Sequence, residues 1–149
     1  MQIRQMGRED AKTVFEMMRD FYASEALLIH PNAEVLSRTL NDCLEGGPYL
    51  EGFVFDVEGV LAGYGMIAKS YSTEAGGKCI WIEDIFVLPE HRGKGIGSAF
   101  LDFVAKNYAH EAVRLRLEAE PENARAMQVY KKAGFEVLGY TQMIKSLEN

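Results

Sequence analysis

Residues 92–98 read Arg-Gly-Lys-Gly-Ile-Gly-Ser, three glycines and two cations placed where an apolar helical stripe of Ile96, Phe100, Phe103 and Val104 begins. Small residues at a helix start let backbone N–H groups converge on an anion, and the helix dipole favours negative charge there. The missing side chains of Gly93, Gly95 and Gly97 permit close approach to the backbone, while Arg92 and Lys94 add charge. One reading is a pyrophosphate cradle; the other is a tight helix-entry turn whose glycines are incidental. Two phosphate-binding loops can be tested by spelling. No stretch supplies G-x-x-x-x-G-K-[ST], so a P-loop is excluded. A dinucleotide loop needs G-x-G-x-x-G, and here Ser98 stands where the third glycine belongs. Glu118 lies roughly twenty residues beyond the loop, as a ribose-binding acid would, but the unit comes late in the chain and forms only one mononucleotide-sized half.

The strand before this loop, Cys79 to Leu88, is the most hydrophobic in the chain, as a central strand should be. Its alternation has a fault. Ile80 and Ile82 share a face, and strict period two would put Asp84 beside them, yet the apolar residues resume at Ile85 and Val87. A β-bulge near Glu83 and Asp84 explains the slip, and bulges are frequent where a strand re-aims side chains at a site. The alternative is that Ile85 starts a stretch buried on both faces.

These segments need elements to position them. A chain of 149 residues, 48% hydrophobic and 26% charged, is expected to form one globular domain over residues 1–149. Gln2 to Met6 reads as a strand, followed by an amphipathic helix carrying Ala11, Val14, Met17, Met18 and Phe21. Asn32 caps a second helix bearing Leu36, Leu40, Cys43 and Leu44, which Gly46-Gly47-Pro48 stops. Phe53 to Val57 and Val60 to Ala68 form a hairpin, with Gly63 and Gly65 where bulky side chains would otherwise be. After the Gly-rich loop and its helix, Val113 to Ala119 alternates as a strand parallel to the central one by the crossover rule. Asn123 caps a last helix to about Ala133, Gly134 stops it, and Phe135 to Leu138 with Tyr140 to Ser146 make a closing pair. The expected fold is α/β (α+β), with a mixed sheet of six to seven strands, a bulged and splayed central pair, and helices on both faces.

Read in order, these segments resemble the Gcn5-related N-acetyltransferase (GNAT) family over essentially the whole chain. Arg92-x-x-Gly95-x-Gly97 matches the family's [QR]-x-x-G-x-[GA] loop, preceded by the strand Ile82 to Pro89. Asn123-x-x-Ala126-x-x-x-Tyr130-x-x-x-Gly134-Phe135 matches its N-x-x-A-x-x-x-Y-x-x-x-G-F run. Within the family, Ile82 to Ser98 is similar to diamine (spermidine/spermine) acetyltransferases.

The resemblance implies acetyl-coenzyme A as co-substrate and a direct transfer to an amine. Backbone amides of Arg92, Gly93, Lys94, Gly95, Ile96, Gly97 and Ser98 would hold the pyrophosphate. Main-chain groups of Ile85, Phe86 and Val87 would pair with the pantetheine arm as an added strand. Asn123 would bond the coenzyme near its pantetheine portion, or serve only as a helix cap, and Ala126 belongs to the same motif. Tyr130, seven residues beyond Asn123 and two turns along the helix, would protonate the departing thiolate, since a phenol keeps its proton at neutral pH. Glu83, beside the bulge and facing away from Ile82, would take the proton of the incoming amine or position the substrate. Asp84, Glu118 and Glu120 could share that work or be solvated acids.

A formal net charge of −6 argues against nucleic acid or an anionic membrane as partner and mildly favours a cationic substrate. The acceptor is therefore expected to be a small-molecule amine such as a polyamine, with a protein amino terminus or lysine as runner-up. A non-catalytic acyl-coenzyme A sensor is the contrasting class. Cys43 and Cys79 read as reduced core residues. His30, His91 and His110 form no pair at ligand spacing, so no metal is expected. Lys131 and Lys132 read as an exposed helix face, and Trp81 and Tyr22 as acceptor-pocket walls or core. With no apolar run of bilayer length, the expected location is cytoplasmic. Dimerisation is common in the family, and a homodimer is an option here.

Overall fold

The computed structural model describes residues 1–147. Five strands, β1 (Gln2–Gln5), β2 (Leu50–Val57), β3 (Val60–Ser72), β4 (Gly77–Val87) and β5 (Ala112–Leu117), lie side by side in chain order. Each neighbour pair is antiparallel except β4 and β5, which run parallel across the connecting helix, as the crossover required. The helices are α1 (Ala11–Tyr22), α2 (Ala33–Glu45), α3 (Ile96–Tyr108) and α4 (Ala124–Lys132).

Local signals placed the helix ends. The Asn32 side chain accepts from the Val35 N–H at 3.0 Å, and Gly46 ends α2 with φ 74°, a conformation that suits glycine. Asn123 caps α4 in the same way, accepting from the Ala126 N–H at 3.2 Å.

Alternation in the strands divides the interior into two cores, one on each face. Val54, Tyr64, Met66 and Phe86 face α1 and α2, meeting Val14, Met17, Met18, Leu36 and Leu40. Phe53, Phe55, Ile67, Ile80 and Ile82 face α3, meeting Ile96, Phe100, Leu101 and Val104. Gly65 explains how closely α3 sits on the sheet. A Cβ there would lie 2.4 Å from the Phe100 ring, so a side chain and that ring cannot share the space.

The expected slip in β4 is present. Asp84 pairs with Met66 and Ile82 with Ile67, which leaves Glu83 as the extra residue of a bulge. Ile80, Ile82, Ile85 and Val87 consequently all lie on the α3 face, while Asp84 and Phe86 turn to the other. Sheet size differs from expectation. Among the described residues five strands form rather than six or seven, and none follows α4: Phe135 to Leu138 and Tyr140 to Ser146 have strand-like sequence but no ladder partner there.

Gly65→Ala should force the Phe100 ring aside and destabilise the domain by about 1–3 kcal/mol, read as a lower urea midpoint. An unchanged midpoint would show that α3 does not depend on this close approach.

Candidate active site

The site begins where β4 and β5 part. Their pairing runs from Lys78–Ala112 to Ile82–Leu117, while β4 continues to Val87 along β3 alone. Beyond the bulge the β5-facing edge of β4 is thus open to an extended ligand. A cleft of about 390 Å³ occupies this region. Ile85 and Val87 line it from β4, Arg92, Gly93, Gly95, Ile96, Gly97 and Ser98 from the loop and first turn of α3, and Asn123, Ala126 and Tyr130 from α4. Nearly all the residues singled out for the coenzyme are therefore brought together. Lys94 is exposed outside the lining, and the Phe86 side chain is buried in the α1–α2 core, so only its main chain is left for the expected role.

Backbone geometry shapes the loop. Gly93 and Gly95 have φ of 75° and 80°, in the left-handed region that favours glycine. The first helical bond of α3 runs from the Ala99 N–H to the Gly95 carbonyl, which leaves the N–H groups of Ile96, Gly97 and Ser98 without helical partners at the cleft. Gly97 differs from the other two. Its φ is ordinary for any residue, and a Cβ there would meet nothing nearer than Ile85 Cγ2 at 3.9 Å. Neither strain nor packing within the chain asks for glycine at 97; what the missing side chain leaves is room above the helix N-terminus.

Arg92 has a more structural part than expected. Its Nε donates to the Val87 carbonyl at 2.8 Å, and its guanidinium lies 5.7 Å from the centre of the Phe86 ring, fastening the loop to the end of β4. Sequence reasoning missed Arg125, which lines the cleft with Nη2 only 3.3 Å from where a Gly93 Cβ would be. It supplies a cation over the loop from the first turn of α4. Its signal was the position two residues after the Asn123 cap. His91 also lines the cleft, having been weighed only as a metal ligand.

Four carboxylates lie at the bulge or just beyond the end of β5. Glu83 is exposed on the bulge, and its carboxyl is held above the usual range by desolvation first, then by Asp84 and Glu118. Asp84, weighed as sharing the proton work or as a solvated acid, is not solvated: it is 2% exposed and accepts from the hydroxyls of Tyr22 at 2.6 Å and Tyr64 at 2.8 Å. Burial pushes its carboxyl up, against the pull of those two phenols. Tyr22 thus joins the end of α1 to the bulge, and its own phenol is pushed up by burial and by Asp84. Trp81 is half-buried beneath the Arg116 guanidinium, 4.4 Å from its ring centre. Glu118 is exposed and Glu120 half-buried.

Tyr130 lines the cleft, packed edge-on against Phe135 with ring centres 6.4 Å apart. Its phenol is raised by burial alone, with no neighbouring charge contributing. Both cysteines are buried and free, Cys43 pushed up to about 11 by burial, and neither lines the cleft. Lys131 and Lys132 are exposed at the end of α4, as read from the sequence. Among the described residues no helix is long and apolar enough to cross a membrane.

Known proteins resemble this chain in sequence and in fold. A thialysine N-epsilon-acetyltransferase of Bos taurus is 44% identical over 75 residues, covering 50% of this chain and 44% of that protein. The chain therefore spans less than half the length of that relative. An uncharacterized N-acetyltransferase of Bacillus subtilis, YhfO, is 29% identical over 143 residues, 91% of this chain and 90% of its own. In fold, the aminoglycoside acetyltransferase AAC(6')-Iy, solved with a bisubstrate analog, superposes with a TM-score of 0.81 at 19% identity, over 98% of this chain and 97% of its own. A possible acetyltransferase from Clostridium difficile 630 gives 0.83 at 22% identity, over 99% and 98%. Residues 13–135 match the acetyltransferase (GNAT) family, and the chain belongs to it.

Proposed function

We propose that this protein transfers the acetyl group of acetyl-coenzyme A to a primary amine of a small molecule, in the cytoplasm. The observation that carries the donor half of this reading is Gly97, a glycine that the fold does not require, set where free N–H groups of α3 meet the cleft. The residues present fit a diphosphate-bearing thioester: helix N–H groups and Arg125 for the phosphates, and an open β4 edge for an amide-bearing arm. When bound, the coenzyme supplies a thioester carbonyl as electrophile and a thiolate as leaving group.

The chain's own residues then divide the proton work. Glu83, exposed at the bulge, accepts the proton that the ammonium must lose before its nitrogen can attack. Its raised carboxyl makes it a stronger base than an ordinary glutamate once ionised. Tyr130 keeps its proton at neutral pH and donates it to the sulfur as the carbon–sulfur bond breaks. The products are the acetylated amine and coenzyme A thiol. With both cysteines buried away from the cleft, attack by the amine itself needs no acyl-enzyme. Carboxylates at the splay favour a cationic acceptor, and the match to an enzyme named for thialysine, an amine, supports the same class.

Release of coenzyme A thiol, followed with a panel of polyamines, diamines, aminoglycosides, amino acids and peptides, should show turnover with a small amine. Tyr130→Phe should lower that turnover roughly 100-fold with little change in acetyl-coenzyme A affinity; a wild-type rate would remove Tyr130 from the mechanism. Turnover with peptides alone would move the acceptor to proteins, and coenzyme binding with no turnover at all would favour a sensor.

The pH dependence has a defined sign. Glu83 acts only when ionised, and its carboxyl is raised, so kcat/KM should fall as pH drops through a value above the ordinary glutamate range. Glu83→Gln should abolish that acid limb and lower turnover roughly 100-fold. An unchanged pH profile in the variant would assign the base elsewhere.

A further inference from the structure

The face of the sheet opposite the α3-side cleft carries a half-buried cation that the fold does not pair. Ile80 and Ile82 of β4, with Leu115 and Leu117 of β5, point to the α3 core, so Trp81 and Arg116 between them point the other way. The α1–α2 core on that face takes in Tyr64, Met66 and Phe86 but stops short of Trp81. Trp81 and Arg116 are partners in the β4–β5 ladder, one rung before it ends at Ile82–Leu117, and the guanidinium lies 4.4 Å from the Trp81 ring centre.

Arg116 differs from its neighbour in how its charge is met. Arg114, two residues earlier on the same face, pairs with Glu74 in the β3–β4 turn at 2.6 Å. Arg116 makes no hydrogen bond or ion pair among the described residues. Glu74 is already taken: its carboxyl is lowered by the bonds from Arg114 and, at 3.0 Å, from the Tyr140 hydroxyl, and only last by the Arg116 charge. In a chain of net charge −6, a guanidinium set over an indole and left without a carboxylate has its planar donors free for an anion from outside. Arginine stacks on aromatic faces, and its fork matches a carboxylate through two parallel hydrogen bonds.

The reacting end of the acceptor lies a short step away. Glu83 is two residues beyond Trp81 on β4, and Glu118 is two beyond Arg116, near enough to Glu83 to help raise its carboxyl after desolvation and Asp84. Residues two apart along a strand are separated by roughly 7 Å, about the length of an extended lysine side chain. The splay thus offers carboxylates for an ammonium and, one step back along the sheet, a cation for a carboxylate.

We propose that the acceptor is an amino-terminated carboxylic acid, its amine entering the splay beside Glu83 and its carboxylate held by the Arg116 guanidinium over Trp81. This inference rests on the acetyl transfer to a small amine proposed above and names what stands at the other end of that amine. Arg116 touches no reacting atom; it selects and orients the acceptor. A plain diamine would bring a second ammonium to the guanidinium, so the subsite also works by repulsion.

Two matched pairs of acceptors differ only in the carboxylate: lysine with cadaverine, and 6-aminohexanoate with pentylamine. Coenzyme A release by the full chain should give kcat/KM about 10- to 100-fold higher for the acid of each pair, with the difference in KM. Arg116→Gln should collapse that ratio to near one by bringing the acid down to the level of its partner. Arg116→Lys, which keeps the charge but not the planar fork, should retain part of it, and both variants should keep wild-type circular dichroism. Calorimetric binding of the same compounds to the protein saturated with coenzyme A reads the preference without any transfer. A plain amine that reacts or binds as well as its acid, or an Arg116→Gln variant that keeps the wild-type ratio, would overturn the subsite and leave acetyl transfer standing. Preferential binding of the acids with no thiol released from any of them would instead overturn the transfer and leave the subsite in place.

Discussion

The extra residue in β4 governs the rest of the site. Without it, Asp84 would face α3 beside Ile82, and Ile85 and Val87 would face α1 and α2. With it, Ile85 and Val87 stay over α3, Asp84 enters the opposite core, and Glu83 is carried outward. The same kink ends the ladder with β5 at Ile82–Leu117. One inserted residue thus parts β4 from β5, carries a carboxylate outward beside the parting, and frees a strand edge for a ligand, all at one point of the sheet.

Holding that kink takes a buried carboxylate. Moving an ion of this kind out of water costs several kcal/mol, and the hydrogen bonds from Tyr22 and Tyr64 return about 1.5–3 kcal/mol each. The balance is close to even, so Asp84 is better understood as fixing a geometry than as stabilising the fold. Through Tyr22 it joins the end of α1 to the bulge, and through Tyr64 it joins β3. Its negative charge also helps keep the Glu83 carboxyl raised.

Much of this was legible in the sequence wherever the cause is local. The caps at Asn32 and Asn123, the stop at Gly46 and the slip at Glu83 each follow from a few adjacent residues, and each is present. What the sequence did not disclose depends on distant partners. Asp84 looked like one acid among several because its phenols lie 20 and 62 residues away along the chain. Arg92 reads as a phosphate ligand by type, whereas its contacts with Val87 and Phe86 give it a task in the fold. Arg125 was passed over because only folding lays α4 across the loop. The closing strand pair had the right composition, but a strand needs an edge, and within one chain Tyr140 is held at the foot of the sheet.

The central claim, that the splay beside the bulge receives the acetyl donor, is tested most directly by hydrogen exchange of the backbone amides with and without acetyl-coenzyme A. Protection should concentrate in residues 83–87, 92–98 and 123–130, with β1, β2 and α2 unchanged. Binding that leaves those three segments exchanging as in the free protein, or that protects a different face of the sheet, would contradict it.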